Sequence, residues 1–410
     1  MGKASLRTCA TLVCAVLLLA ACGSKPRGDA ARIDAKLVAD LKPGDARTVG
    51  QAADEFGFDL LGAVADGRQN TIISPLSMTV LLAMLLAGAD GPTATEIAKV
   101  LHLSDKRDVR VGALLRQLSD TDQVTLSVAD SLWAGPQAPI NQDYKSFLEK
   151  TFGATVRNGD LGSPSTARDI DKWAAKNTDG LIDNIASDLG LPDPSMLLVL
   201  LNAVYFLGKW KVPFDPADTR PEQFGDIGAV PMMHLNDGTF GYTQRKDYRM
   251  LRLPYGKDGR YGMEIMLPDD GHTLAGLLKS LDAAEWRSAV DSLHPQRIDE
   301  VALPRFELRW KATLNDALSK LGMPTAFAPG AADFRPMSPA NPALSRIVQK
   351  TYVKVDEHGT EAAAVSGGAM ATSARIGSLD FRVDRPFAFS IDDQQTGAIL
   401  FLGAVADPRG

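Results

Sequence analysis

The chain has 410 residues, of which 45% are apolar, 23% charged and 7% aromatic, ordinary globular values that exclude a disordered, collagen-like or multi-spanning membrane protein. A net charge of −6 with no long Lys/Arg run leaves no footprint for binding a nucleic-acid backbone. Length alone suggests two or three domains at about 150 residues each, and the three cysteines, Cys9, Cys14 and Cys22, leave residues 23–410 without a disulfide or a cysteine metal site.

The N-terminus accounts for those cysteines. Lys3 and Arg7 precede a short apolar run, Leu12 to Leu19, and then Leu19-Ala20-Ala21-Cys22, the layout of a secretory signal too short to span a bilayer. Leu-Ala-Ala-Cys resembles the bacterial lipobox, which implies a removed signal over 1–21 and a diacylglyceryl group on Cys22; a soluble signal with a chance cysteine is the other reading. Two or three acyl chains suffice for stable anchoring. Gly23-Ser24, without an aspartate, resembles lipoproteins sorted to an outer membrane, so the protein is expected in the cell envelope, periplasmic or surface-facing. Cleavage removes Lys3 and Arg7, taking the 44 basic residues to 42 against 50 acidic, or −8. Residues 22–47, polar and punctuated by Gly and Pro, read as a lipidated cysteine and flexible tether with at most a short helical patch.

From Thr48 the pattern becomes helical. Phe56, Phe58, Leu60, Leu61 and Val64 predict one apolar face, and Met78 to Ala89 a buried helix. Val124 to Val128, Leu197 to Phe206 and Met263 to Leu267 predict strands, the middle one buried on both faces. Arg168 to Ala186 and Ala312 to Leu321 predict amphipathic helices. Helices concentrate early and strands late, without βα alternation, which predicts an α+β fold around large sheets.

Enzyme constellations are missing: there is no G-x-S-x-G, H-E-x-x-H, P-loop or G-x-G-x-x-G. The five histidines, His102, His234, His272, His294 and His358, stand among loop or helix-end residues without a second histidine at metal spacing, and read as surface or satisfied core groups. Asp269-Asp270 and Asp392-Asp393 both lie beside turn signals and read as solvated turn charges.

Several motifs then converge. Asn70 to Ser77 (NTIISPLS), Gly88 to Gly91 (GADG), Leu201 to Trp210 (LNAVYFLGKW) with Pro213-Phe214, Pro231-Met232-Met233, Leu303 to Phe306 (LPRF), Leu321-Gly322-Met323 with Ala332-Asp333-Phe334, Glu357 to Val365 (EHGTEAAAV), Arg385-Pro386-Phe387 and Thr396 to Gly403 (TGAILFLG) closely resemble, in order and spacing, the blocks of the serpin family. The resemblance covers about Thr48 to Asp407. It implies one serpin domain over 48–410, with helices packed on large, mostly antiparallel sheets and an exposed reactive loop near the C-terminus. It implies no catalysis, no cofactor and no metal, and the chain is expected as a monomer.

Serpins act as suicide substrates. A protease acylates the loop, and the cut loop inserts as a new strand in the main sheet, carrying the enzyme with it. The hinge Glu357, Gly359, Thr360, Glu361, Ala362, Ala363, Ala364 and Val365 fits this: Thr360, Ala362, Ala364, Ser366, Gly368 and Met370 alternate onto one face with no charge, and Glu361 falls on the other. From Thr360 to Ser373 the extended chain spans roughly 46 Å, close to the roughly 55 Å diameter of the body. Gly367-Gly368 is expected to weaken the incoming strand and let part of the inhibitor be consumed as substrate. The resemblance, counted from Gly359 as in inhibitory serpins, implies a reactive bond at Ser373-Ala374, suited to an elastase- or subtilisin-like pocket; counted back from the distal anchor Pro386-Phe387 it implies one nearer Arg375-Ile376, suited to a trypsin-like one. The hinge count is favoured because insertion length limits the mechanism. Papain-like cysteine proteases are a further partner class.

Ser74, Ser77 and Asn202 match the family's polar cluster beneath the opening sheet, and also read as satisfied buried groups. Gln349 stands where many serpins have histidine, which puts pH-gated opening in doubt. Trp210 matches a tryptophan where the sheet first opens, or is a core aromatic. Glu357 either anchors the hinge through a cation or is solvated. Beside inhibition, a non-inhibitory serpin serving as an envelope binding or structural protein stays open.

Overall fold

The computed structural model describes residues 32–119, 121, 123–360 and 379–410. Its helices are α1 (Ala35–Asp40), α2 (Pro43–Val64), α3 (Pro75–Ala87), α4 (Gly91–Val100), α5 (Val109–Ser119), α6 (Gln142–Phe152), α7 (Pro164–Asn177), α8 (Ile185–Asp188), α9 (Leu274–Ser280), α10 (Ala283–Asp291) and α11 (Asn315–Leu321). The strands are β1 (Thr71–Ile73), β2 (Val124–Ala134), β3 (Thr155–Asn158), β4 (Leu198–Lys209), β5 (Arg220–Phe224), β6 (Gly228–Gln244), β7 (Tyr248–Tyr255), β8 (Tyr261–Pro268), β9 (His294–Pro304), β10 (Phe306–Thr313), β11 (Arg346–Val355), β12 (Gly359–Thr360), β13 (Asp380–Arg382), β14 (Phe387–Asp393) and β15 (Ile399–Val405).

Among the described residues these strands form two sheets, the α+β architecture expected. One runs β1-β15-β14-β8-β7-β6-β9-β13, with β5 on β6; the other runs β10-β11-β4-β2-β3, with β12 on β4. The predicted buried helix is α3, apolar throughout and buried at every residue, packed against α2, α5, β4 and β15. A helix apolar on all sides has nowhere to go but the core. The second sheet buries both faces at β4. Leu198, Leu200, Val204 and Phe206 join the large core on the α3 side, and Val199, Leu201 and Ala203 join a smaller core beneath α7.

Five expectations are corrected. The tether expected over 22–47 packs from its first described residues: α1 and α2 both begin before Thr48, Ile33 and Ala46 are buried, and Arg116 donates to the Ile33 carbonyl. The helix expected over 168–186 ends at Asn177, because the Thr178 hydroxyl bonds the Ala174 carbonyl (2.9 Å) and takes the Ile182 amide (3.0 Å), and Asp179 and Gly180 turn the chain at positive φ. The helix expected from Ala312 starts at Asn315, since Ala312 and Thr313 still pair with β11.

His234 is no loop residue; it sits inside β6, 1% exposed, between Glu222 (3.2 Å) and Glu300 (2.9 Å). Asp392 and Asp393 are fully buried rather than solvated. Arg252 on β7 donates to Glu264 on β8 and, at 2.6 Å, to Asp392 on β14, while Arg260 pairs with Asp393. Ser390 donates to Glu264 (3.1 Å) and accepts from the Trp286 indole (2.9 Å). Burial pushes Glu264 up to about 8 against the pull of Arg252, and raises Asp392 as well.

Candidate functional site

The site is the seam between β4 and β11. These strands run parallel, paired from Arg346 opposite Val199 to Tyr352 opposite Tyr205, inside a sheet whose β2–β4 and β10–β11 pairs are antiparallel. A strand entering between them from above would run antiparallel to both, the better-bonded geometry. The top of the seam already holds its beginning. β12 pairs antiparallel with β4, Thr360 opposite Gly208 and Gly359 opposite Lys209.

The hinge is held there by specific contacts. Thr360 is 1% exposed, and its hydroxyl meets the Tyr255 hydroxyl at 2.7 Å. Gly359 has φ +142, and a Cβ on it would lie 2.0 Å from the Gly208 carbonyl oxygen, so only glycine fits the approach. Trp210 stacks on Tyr255 (4.3 Å between ring centres, 11°), donates its indole N–H to the Asp356 carbonyl (2.9 Å) and its amide to the His358 carbonyl (3.0 Å). Trp210 is thus both a core aromatic and the peg of the turn before the hinge. Glu357 is buried and anchored: the Thr219 hydroxyl donates to it at 2.7 Å, Arg305 lies at 3.6 Å, and the Phe214 amide bonds its carbonyl at 2.8 Å.

Halfway down the seam, polar side chains gather at full burial. Ser77 donates to Asn202 Oδ1 (2.5 Å), and Asn202 Nδ2 donates to Asp130 (2.9 Å). Gln349, the register partner of Asn202, donates to the Ser74 carbonyl (3.4 Å), while its Oε1 receives no hydrogen bond among the described residues. Ser74 itself donates to the Leu400 carbonyl (2.6 Å). Ser74, Ser77, Asn202 and Gln349 therefore come together, while Trp210, the fifth residue expected at the opening, stands apart at the top of the seam; Asp130 joins the four, as does Thr351, whose hydroxyl bonds the Ile72 carbonyl (2.6 Å). Asp130 was missed; a lone acid within the apolar run of β2 was its signal. The cluster thus ties β4 through Ser77 and β11 through Ser74 to the start of α3, beneath the line where the two strands meet.

A strap crosses the same seam. α7 packs over β2 and β4 through Ile170, Trp173 and Ala174, and the segment that follows is tied to the far side. Arg309 on β10 donates to the Leu181 carbonyl (2.8 Å). Lys311 on β10 and Lys350 on β11 grip the Asp188 carboxylate from both sides (2.7 and 2.5 Å), and Lys350 also donates to the Asp183 carbonyl (3.0 Å). Although Asp188 is partly desolvated, the two ammonium groups hold its carboxyl below the usual range. This clasp had no sequence signal, because the residues involved are over 120 positions apart.

Glu361, Ala362, Ala363, Ala364 and Val365, both candidate bonds (Ser373, Ala374, Arg375, Ile376) and Cys22 lie outside the described residues.

A family model described as serpin (serine protease inhibitor) matches residues 51–408. A serpin-like protein of Thermococcus kodakarensis is 34% identical over 384 residues, 90% of this chain and 88% of its own. Leukocyte elastase inhibitor of Homo sapiens is 32% identical over 378 residues, 87% of this chain and 98% of its own. Among solved structures, the thermophilic serpin Tengpin in the native state superposes with a TM-score of 0.80 at 27% identity, covering 88% of this chain and 94% of that one. Native protease nexin-1 gives 0.79 at 27%, covering 88% and 100%.

Proposed function

We propose, from the premise that the chain belongs to the serpin family, that it inhibits serine endopeptidases as a suicide substrate by inserting its cleaved loop between β4 and β11. The observation that carries this is the register of β12 on β4. Continued along β4, it sets Ala362 opposite Phe206, Ala364 opposite Val204, Ser366 opposite Asn202, Gly368 opposite Leu200 and Met370 opposite Leu198, where β4 begins. Directly opposed residues share a face, so each of these small or apolar side chains would meet the large core, and Ser366 would reach Asn202 where Gln349 now lies. Glu361 would fall opposite Leu207, at the partly exposed upper end. No residue from 362 to 370 would bury a charge.

The strand would end at Met370, three residues before Ser373-Ala374, which favours that bond and an elastase- or subtilisin-like target; Arg375-Ile376 is the alternative. The mature chain is incubated with elastase-, subtilisin- and trypsin-like enzymes. An adduct that survives denaturing electrophoresis is expected, with a released C-terminal peptide beginning at Ala374. A peptide beginning at Ile376 moves the bond, and clean cleavage by all three enzymes without any adduct overturns inhibition.

We further infer that Cys22 is acylated and holds the protein on the cell envelope, on the strength of the Lys3/Arg7, apolar-run and Leu-Ala-Ala-Cys pattern. Labelled palmitate is expected in the wild-type chain and absent from Cys22→Ala; label in both removes the assignment.

A further inference from the structure

Three parts of the chain close around a hollow of about 260 Å3: Arg32 ahead of α1, strand β3 and one side of α7. Arg32, Arg157, Lys172 and Lys176 line it, and among the described residues Asp169 is the one carboxylate in its lining. Arg157, Lys172 and Lys176 gathered beside one acid stand out in a chain whose overall balance is −6. Its floor is built. The buried Thr155 hydroxyl accepts from Arg32 Nη2 (3.1 Å) and from the Trp173 indole (3.2 Å), fixing both. Arg157 lies over the Trp133 ring, its guanidinium carbon 5.4 Å from the ring centre. Lys172 reaches Asp169 only at 4.0 Å, and no carboxylate lies within 4.0 Å of Arg157 or Lys176 among the described residues.

We propose that this hollow binds a phosphate-bearing anion. Guanidinium groups offer paired donors to phosphate oxygens, and lysines supply point charge around them. At 260 Å3 the space suits a small anion rather than a drug-sized ligand, whose pockets run to about 300–1,000 Å3. Free phosphate and an anionic phospholipid headgroup share this chemistry. The headgroup becomes available through the acylation reading, on which that source rests: Arg32 follows Cys22 by ten residues, a reach of at most about 35 Å, so an anchored chain keeps the hollow near the bilayer surface, where a basic patch adds a second membrane signal to the lipid.

The test uses the mature chain carrying Cys22→Ser, so that acylation cannot supply or mask binding, alongside the same chain with Arg157→Gln and Lys176→Gln. Both altered side chains are solvent-exposed, and matching melting curves with unchanged protease reactivity would show that the fold is kept. One arm titrates inorganic phosphate; the other sediments the protein with phosphatidylcholine vesicles, with and without phosphatidylglycerol. Saturable binding in either arm is expected, weakened about thirtyfold by the double substitution. Response to phosphatidylglycerol alone assigns the headgroup, and response to phosphate alone assigns a soluble anion. Binding in neither arm, or equal binding by both proteins, overturns the site.

Discussion

Thr360 shows how narrow the hinge's tolerance is. Its side chain is already inside the sheet and bonded to Tyr255, and Gly359 beside it meets the β4 backbone with no room for a Cβ. Thr360→Arg would place a guanidinium in that packed position without a partner, a cost of several kcal/mol. The loop should then be cut as before, while adduct yield falls roughly tenfold or more; undiminished adduct would mean that entry does not pass through this point. The buried Arg252–Glu264–Asp392 triad supports a second prediction. With Glu264 pushed up to about 8, the folded protein keeps a proton that the unfolded chain, its carboxyl near 4.5, has lost by neutral pH. Protons bound in the native state exceed those in the unfolded state across that window, so stability falls as pH rises through it, by up to about 1.4 kcal/mol per unit. Melting of wild type and Glu264→Gln from pH 5 to 9 should show the wild type losing ground to the variant up to about pH 8 and then running level with it; parallel curves throughout would refute the retained proton. The pairing that buries Asp392 was illegible because its cation stands 140 positions earlier in the chain, and a local turn signal was all the sequence offered.

At the scale of elements, the strap formed by α7 and residues 178–188 would act as a conformational brake on the proposed insertion. It rests on β2 and β4 through apolar contacts and on β10 and β11 through Lys311 and Lys350, so widening the seam pulls the two sets of anchors apart. Asp188→Asn removes the charge that both lysines grip. Its expected effect on global stability is small, about 1 kcal/mol or less for a pair whose lysines are partly hydrated, but the strap's release should come earlier. A synthetic peptide with the sequence of residues 360–371 should anneal into the variant a few-fold faster, and salt should accelerate the wild type while leaving the variant unchanged. Equal rates in both proteins would remove the brake. Apolar periodicity made α3, β4 and the helix before Thr71 legible, because burial decides those elements. It overran at 168–186 and 312–321, where a threonine hydroxyl and a strand pairing, neither visible as periodicity, set the ends.

For the whole molecule, the ordered motif blocks read as one domain where length alone suggested two or three, and they fall within the one stretch, residues 51–408, that a single family model matches. What no motif encodes is the energy difference between the seam closed and filled. In the described form β4 and β11 hold each other over seven register pairs; a strand from 360 to 370 would replace that single parallel interface with two antiparallel ones and bury the apolar face of the loop. About a dozen added ladder bonds at roughly 1 kcal/mol each amount to about 10 kcal/mol, comparable with the whole stability of an ordinary domain. The intact chain is therefore expected to be kinetically held in its less stable arrangement, by the cluster around Asn202 and by the strap. Cutting the loop with a metalloprotease, which forms no acyl-enzyme, frees the strand without trapping anything. The nicked chain should then melt roughly 13 °C above the intact one, with Thr360→Arg showing little of the gain. A nicked wild type that melts within a few degrees of the intact chain would mean that the seam, though shaped to accept a strand, gains too little from it to drive inhibition.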